Sequence, residues 1–113
     1  MNWSFIQSED DLDIAIKSSE TKAVLIYKYS SNCSISDRVQ DILESDWDGS
    51  NPDEKLSPYF LDLIKYRKIS NEIARRFGVE HESPQVLIIK NDKCIYNESH
   101  GYIRLDEILK AIN

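Results

Sequence analysis

The order of apolar patterns along the chain constrains its fold more than any other feature. Short apolar runs, which are typical of buried strands, alternate with apolar residues spaced three and four apart, which are typical of helical faces. The predicted strands are Ala23–Tyr29, Tyr59–Ile64, Val86–Ile89 and Cys94–Tyr96, with a two-residue hairpin turn at Asn91-Asp92 before the last one. The predicted helical faces are Leu12, Ala15 and Ile16 after an N-cap at Ser8; Ile35, Val39, Ile42 and Leu43; Ile69, Ile73 and Phe77 before a C-cap at Gly78; and Ile103, Leu105, Ile108, Leu109 and Ile112.

The resulting order, α-β-α-β-α-β-β-α, predicts the architecture. Strands that alternate with helices form parallel pairs joined by right-handed crossovers, and the final hairpin adds an antiparallel edge. We therefore expect an α/β three-layer sandwich, with a central mixed four-stranded sheet flanked by helices on both faces. Strand Val86–Lys90 should be central in the sheet and not at its exposed edge, because its four consecutive apolar residues need cover on both sides. The polar segment Ser45–Ser57 is interpreted as a surface loop.

Length and charge limit the class of protein. The 113 residues predict a single domain over residues 1–113. The net charge of −6 argues against a nucleic-acid partner, since binding to phosphates needs a basic face. The densest cationic stretches are Lys65–Lys68 and Arg75–Arg76, and both are short and have acids nearby. We interpret both stretches as solvated surface.

The hydropathy pattern also predicts where the protein acts. No apolar run approaches the roughly 18–20 residues that span a bilayer, so we expect no membrane association. The N-terminal Met1-Asn2-Trp3-Ser4 lacks the features of a secretory signal, which favours a cytoplasmic location. In that reducing compartment, Cys33 and Cys94 are expected to be free thiols.

Cys33 lies between a predicted buried strand and a helix that begins near Ser34. The unpaired backbone N–H groups and the dipole of a helix N-terminus stabilise a thiolate at this place. A buried, inert cysteine is the alternative. The polar neighbours, among them Ser31, Asn32 and Ser34, favour exposure and therefore reactivity.

Ser83-Pro84 directly precedes the all-apolar strand Val86–Ile89. A proline at the start of a strand needs no special function. A cis bond, however, would present the free backbone groups of Ser83 beside the Cys33 loop, where an extended partner could pair as an added strand. We expect the Ser83–Pro84 bond to be cis and close to the Cys33 sulfur.

Together with this element order, four segments carry a resemblance to a known family. They are Tyr29–Ser36, Ile64–Ala74, His81–Lys90, with its His-Glu-Ser-Pro-Gln run, and Ser99-His100. With them, the chain resembles the YtxJ-like monothiol bacilliredoxins of the thioredoxin-like superfamily over nearly its whole length. The resemblance implies a thioredoxin-like fold. The chain departs from the family pattern at Ser34, where the family usually has proline, and at Gly101, where the family tends to have an aromatic residue.

The resemblance also implies a chemistry. A family member exchanges thiols through a mixed disulfide, with no bound cofactor and with bacillithiol or a similar small thiol as co-substrate. Its partners are S-thiolated proteins. Ser36 stands three residues after Cys33, where a dithiol enzyme has its resolving cysteine, so a second thiol must come from solution or from a partner. We expect Cys33 to be catalytic and the substrate to contact Asn32, Ser34, Ser36, Ser83 and Pro84.

Other residues and other functions offer alternatives to this interpretation. Cys94 could resolve the mixed disulfide, but a cysteine within a strand is normally buried and inert. His81 and His100 lack a nearby ligand pattern, so we expect no metal site and hydrogen-bonding or surface roles for both. The alternative functions are a non-catalytic peptide-binding module around Ser83-Pro84 and a sensor in which a small thiol caps Cys33 without turnover.

Overall fold

The computed structural model describes residues 1–113. Its strands are β1 (Ser4–Phe5), β2 (Ala23–Tyr29), β3 (Leu56–Asp62), β4 (Gln85–Lys90) and β5 (Lys93–Ser99), and its helices are α1 (Glu9–Ser18), α2 (Ser34–Ser50), α3 (Arg67–Phe77) and α4 (Leu105–Ile112). A 3₁₀ turn, His100–Tyr102, connects β5 to α4. None of the helices is both long enough and apolar enough to cross a bilayer.

The sheet has five strands, in the order β1-β3-β2-β4-β5. β3 is parallel to both β1 and β2, whereas β4 runs antiparallel to both β2 and β5. The interior position predicted for Val86–Lys90 is confirmed, since Ile88 pairs with Leu25 on one side and with Tyr96 on the other. The expected four strands were one too few, because β1 is only two residues long and has no periodicity to reveal it.

Helices cover both faces of the sheet, as expected. Alternate residues of β2 point to opposite faces. On one face, α2 and α4 pack over Leu25 and Tyr27. On the other face, α1 and α3 pack over Val24 and Ile26. The two apolar cores lie on either side of one buried central strand, and this rigid strand leads directly into the Cys33 loop.

Helix α2 is longer than the sequence pattern predicts. Residues 45–50 belong to the helix and not to a loop, and only residues 51–55 connect it to β3. The apolar stripe continues from Leu43 to Trp47, which is 1% exposed and packs in the core beneath α2. The indole Nε1 donates to Asp53 Oδ1 at 2.9 Å. Burial of Trp47 stabilises the helix here, although the surrounding composition is typical of a loop.

Boundaries of other elements also differ from the prediction. β3 begins at Leu56 and includes Pro58, which lies before the residues of β3 that pair with β1. A proline is tolerated there because β3 has only one neighbouring strand at that point. Helix α4 begins at Leu105, and Ile103 is a buried residue that precedes it.

Candidate active site

Three segments that are far apart in the sequence meet at one edge of the sheet. β2 and β3 are parallel, with Tyr29 opposite Asp62, so both strands end at the same edge. β4 is antiparallel and begins there, because Gln85 pairs with Lys28. The Cys33 loop therefore shares this edge with the turn after β3 and with Ser83-Pro84. We call it the Cys33 edge.

Cys33 occupies the N-cap position of α2, with extended backbone angles (φ −131°, ψ 112°). Its backbone N–H donates to the Ser30 carbonyl at 3.2 Å, and its carbonyl accepts from the N–H of Ser36 at 3.0 Å. Its side chain makes no capping hydrogen bond. The backbone N–H groups of Ser34 and Ile35, in the first turn, donate to no backbone acceptor. Free donors at the positive end of a helix favour negative charge on an adjacent sulfur.

The predicted helix start near Ser34 is confirmed. Asn32 and Ser34 are exposed, so both side chains are accessible to a ligand, whereas Cys33 is half-buried and less open than expected.

Ser36 is not accessible to a substrate, and its predicted substrate contact is corrected here. The residue is 0% exposed. Its Oγ accepts from the N–H of Ser30 at 3.2 Å, and its carbonyl accepts from the Tyr27 hydroxyl at 2.7 Å. Burial raises the pKa of Tyr27, so this hydroxyl remains a donor. Ser36 therefore holds the Cys33 loop against β2, and Tyr27 holds the first turn of α2.

The peptide bond between Ser83 and Pro84 is cis, the isomer that the sequence predicts. Pro84 is buried and Ser83 is half-buried. Neither the buried Ser83 Oγ nor the buried Gln85 Oε1 has a hydrogen-bond partner. The next residue, Gln85, pairs with Lys28, so Ser83-Pro84 lies at the Cys33 edge, where β4 adjoins β2. Closeness to the Cys33 sulfur itself stays a prediction.

A buried polar cluster beside this edge was missed by the sequence analysis. Lys28 is 0% exposed and donates to the Ser70 carbonyl at 3.1 Å. Ser70 Oγ lies 3.4 Å from Nδ1 of His81. Burial lowers the pKa of Lys28 to about 8. It also lowers the pKa of His81, with further contributions from the charges of Lys28 and Arg67. A lysine inside an otherwise apolar strand run was the available signal.

The two histidines lie in different surroundings. His100 Nε2 is 3.4 Å from Glu82 Oε2, and both side chains are about half exposed. The His100 backbone is left-handed (φ 57°), and its N–H donates to the Pro84 carbonyl at 2.9 Å. His100 is thereby fixed beside Pro84, whereas His81 contacts Ser70. No group of three or more His, Cys, Asp or Glu side chains able to hold a metal ion is present.

Cys94 does not reach the Cys33 edge. It pairs with Ile89, which pairs with Val24 at the start of β2, roughly 16 Å along the strand from Tyr29. Both cysteines are free. Cys94 is half-buried, not fully buried as expected, because β5 is an edge strand. Its burial nevertheless raises the pKa of its thiol, and Sγ donates to the Tyr96 carbonyl at 3.4 Å.

Comparison with known proteins agrees with this geometry. A family model described as "Monothiol bacilliredoxin BrxC" matches residues 4–108. A solved structure named as a candidate oxidoreductase with a thioredoxin fold superimposes with a TM-score of 0.82 at 27% identity, over 96% of this chain and 92% of that one.

Two thioredoxins share the fold at lower identity. The thioredoxin Mala s 13 of Malassezia sympodialis has a TM-score of 0.77 at 18% identity, covering 98% of this chain and 88% of that one. The thioredoxin of Fasciola hepatica has a TM-score of 0.71 at 15% identity, over 96% of this chain and 94% of that one. These two likenesses show that the chain has the thioredoxin fold.

Proposed function

Because the chain belongs to the monothiol bacilliredoxin family, we propose that it exchanges a low-molecular-weight thiol with protein cysteines through a mixed disulfide at Cys33. Family and fold together assign it a thiol–disulfide oxidoreductase role. The proposed substrates are S-thiolated proteins in the cytoplasm, and the proposed co-substrate is bacillithiol or a similar small thiol. No bound cofactor takes part.

The proposed reaction has two exchange steps. In the first, the Cys33 thiolate attacks the small-thiol sulfur of a protein mixed disulfide, and the protein cysteine leaves as a thiolate. Cys33 now carries the small thiol as a new disulfide. In the second, a small-thiol thiolate from solution attacks that sulfur, forms a symmetrical disulfide and regenerates the Cys33 thiolate. Each step breaks one S–S bond and forms another, so the electron count balances.

A single observation carries this proposal: Cys33 occupies the N-cap position of α2, next to the free N–H groups of its first turn, and no second cysteine lies nearby. The helix end stabilises the attacking thiolate and the same thiolate when it leaves. Buried Ser36 stands where an internal resolving thiol would be, and Cys94 lies at the opposite end of β2. The second thiol therefore has to come from solution or from a partner protein.

The position of Ser83-Pro84 supports docking of an extended segment of the substrate protein. It directly precedes β4 at the Cys33 edge, where β4 pairs with β2. An extended segment bound there would place its modified cysteine against Cys33. The exposed residues Asn32 and Ser34 flank Cys33 at the same edge of the sheet.

The experiment compares the wild-type chain with Cys33→Ser and with the matched control Cys94→Ser. A carrier protein with one S-thiolated cysteine is the substrate, and free small thiol is the reductant. We expect wild type and Cys94→Ser to release the thiol catalytically and Cys33→Ser to lose all catalysed release. Because burial raises the pKa of the Cys94 thiol, we also expect iodoacetamide to alkylate Cys94 slowly at neutral pH.

Three other outcomes would contradict the proposal in different ways. Loss of thiol release in Cys94→Ser, with release retained in Cys33→Ser, would show that Cys94 is the reactive cysteine. A single stoichiometric transfer to Cys33 without turnover would indicate a thiol-capped sensor. Binding of the carrier without any transfer would indicate a peptide-binding module.

A further inference from the structure

Ser83 makes no hydrogen bond that would fix its own position. Its hydroxyl is buried without a partner, and neither its backbone N–H nor its carbonyl bonds to another backbone group. Pro84, the next residue, has no N–H to donate. Free backbone groups suit the docking of an extended segment. The placement of Ser83-Pro84 relative to Cys33 therefore depends on other residues.

The loop that carries Ser83-Pro84 is closed by Gln85. This residue is 1% exposed, and its Nε2 donates to the Glu80 carbonyl at 2.9 Å. The Pro84 carbonyl accepts from the N–H of His100, in the turn after β5, at 2.9 Å. These two bonds shape residues 80–85 and attach them to that turn. Neither bond connects the loop to β2 or to α3.

The connection to β2 and α3 runs through the buried polar cluster. In the loop, Nδ1 of His81 lies 3.4 Å from Ser70 Oγ in α3. The Ser70 carbonyl accepts from Lys28 Nζ at 3.1 Å. Lys28 belongs to β2, the strand that leads to the Cys33 loop. One chain of contacts thus joins the loop of residues 80–85, helix α3 and the strand before Cys33.

Burial and charge favour this chain of contacts. Ser70 is 0% exposed, and its hydroxyl faces His81, whereas a serine within a helix often bonds back to a carbonyl of its own helix. Burial lowers the pKa of His81, the charges of Lys28 and Arg67 lower it further, and only Glu82 opposes them. The imidazole is therefore neutral at pH 7, and its Nδ1 can accept the Ser70 hydroxyl proton.

We propose that Ser70 and His81 are positioning residues for docking of the substrate protein. Their hydrogen bond holds Ser83-Pro84 in place beside the Cys33 loop, and Lys28 anchors it to β2. Because Lys28 and Ser70 are fully buried, they act through His81 and not by contact with the substrate. This inference rests on the proposed function and adds residues that serve recognition of the protein rather than thiol exchange.

The test compares a protein substrate with one too small to use the docking loop. The first is a carrier protein with one S-thiolated cysteine in an extended tail, and the second is bis(2-hydroxyethyl) disulfide. The variants are Ser70→Ala, His81→Ala, the double variant and His81→Asn, whose amide oxygen can replace Nδ1 as an acceptor. Ser19→Ala is the control, since Ser19 is 1% exposed and its hydroxyl bonds to Ile16 and Asp92 at the opposite end of the sheet.

We expect Ser70→Ala and His81→Ala each to raise the KM for the carrier about fivefold, which corresponds to about 1 kcal/mol, with kcat unchanged. The double variant should lose no more than either single variant, because both substitutions remove the same hydrogen bond. His81→Asn should recover most of the affinity for the carrier. Ser19→Ala should match the wild type, and all variants should react with the small disulfide at the wild-type rate.

Several results would overturn these positioning roles while catalysed release by the wild type still upheld thiol exchange. They are an unchanged KM in Ser70→Ala, additive losses in the double variant, no recovery in His81→Asn, an equal loss in Ser19→Ala, and an equal loss with the small disulfide. Failure of the wild type to release thiol from the carrier would overturn the proposed function itself.

Discussion

At the scale of single residues, Lys28 is the only lysine, arginine, aspartate or glutamate whose side chain is buried in the fold. It is fully buried, its one hydrogen-bond acceptor is a neutral carbonyl, and no carboxylate compensates its charge. Such burial penalises the charged form and explains why the pKa of Lys28 falls to about 8. Lys28 lies beside Ser70 and His81, next to the segment that leads to Ser83-Pro84.

The lowered pKa of Lys28 predicts how the free energy of unfolding depends on pH. Below pH 8 Lys28 is protonated in both folded and unfolded chains. Between pH 8 and about 10.5 only the unfolded chain holds the proton, so the free energy of unfolding rises with pH. Relative to Lys28→Met, wild type should gain about 2 kcal/mol between pH 7 and 9.5.

Urea denaturation of both proteins at the two pH values measures this gain. Tyr27 and Cys94 titrate in both proteins, so the comparison with Lys28→Met removes their contributions. Parallel stability curves for the two proteins would contradict a depressed Lys28 pKa.

At the scale of the elements, the helix ends decide where the functional loops begin. α2 starts at Cys33 without a side-chain cap and ends at Asn51, which is left-handed (φ 49°). α3 ends at Gly78, also left-handed (φ 65°). The C-cap that the sequence predicts at Gly78 is thus confirmed. It turns the chain towards the segment that carries His81 and Ser83-Pro84.

Substitution by alanine is expected to have opposite effects at Gly49, within α2, and at Gly78, the C-cap of α3. Gly49 lies in the last turn of α2, and an added Cβ there would meet no atom within 4 Å, so Gly49→Ala should stabilise the chain by about 0.5–1 kcal/mol. Gly78 has positive φ and equal space, so Gly78→Ala should destabilise it by about 1 kcal/mol. Thermal denaturation of the two variants checks both signs, and a stabilising Gly78→Ala would exclude the left-handed C-cap.

At the scale of the whole molecule, the mixed sheet separates its two thiols. Parallel β2 and β3 end where antiparallel β4 begins, which brings the Cys33 loop and Ser83-Pro84 together. The β4–β5 hairpin carries Cys94 to the other end of the sheet. A disulfide needs Cα atoms within about 7 Å, and the separation along β2 alone is roughly 16 Å.

Native chain exposed to an oxidant should therefore form no Cys33–Cys94 disulfide. The same treatment in concentrated urea should form it, because the unfolded chain brings the two cysteines together. Non-reducing peptide mass mapping of both samples is the measurement. An internal cross-link in the native sample would contradict both the register and the monothiol mechanism.

The sequence by itself determined the features that depend on neighbouring residues. Apolar periodicity identified four strands and four helices in their correct order, and the interior place of Val86–Lys90 followed from its composition. Local turn chemistry identified the Ser8 N-cap and the Asn91-Asp92 turn, where both residues have positive φ. The position of Cys33 at a helix start belongs to the same class, because a strand, a polar loop and a helical stripe follow one another within a few residues.

Only the tertiary structure decided features that depend on residues distant along the chain. β1 exists because Ser4 and Phe5 pair with β3, and α2 extends to residue 50 because Trp47 reaches the core. Ser36 proved to be a buried support, since Tyr27 and Ser30 bond to it. The cations of Lys65–Lys68 form no ion pair, whereas Arg75 and Arg76 pair with Glu72, because pairing depends on where the carboxylates lie in space. The spacing of residues along the chain predicts none of these contacts, because they depend on how whole helices and strands pack.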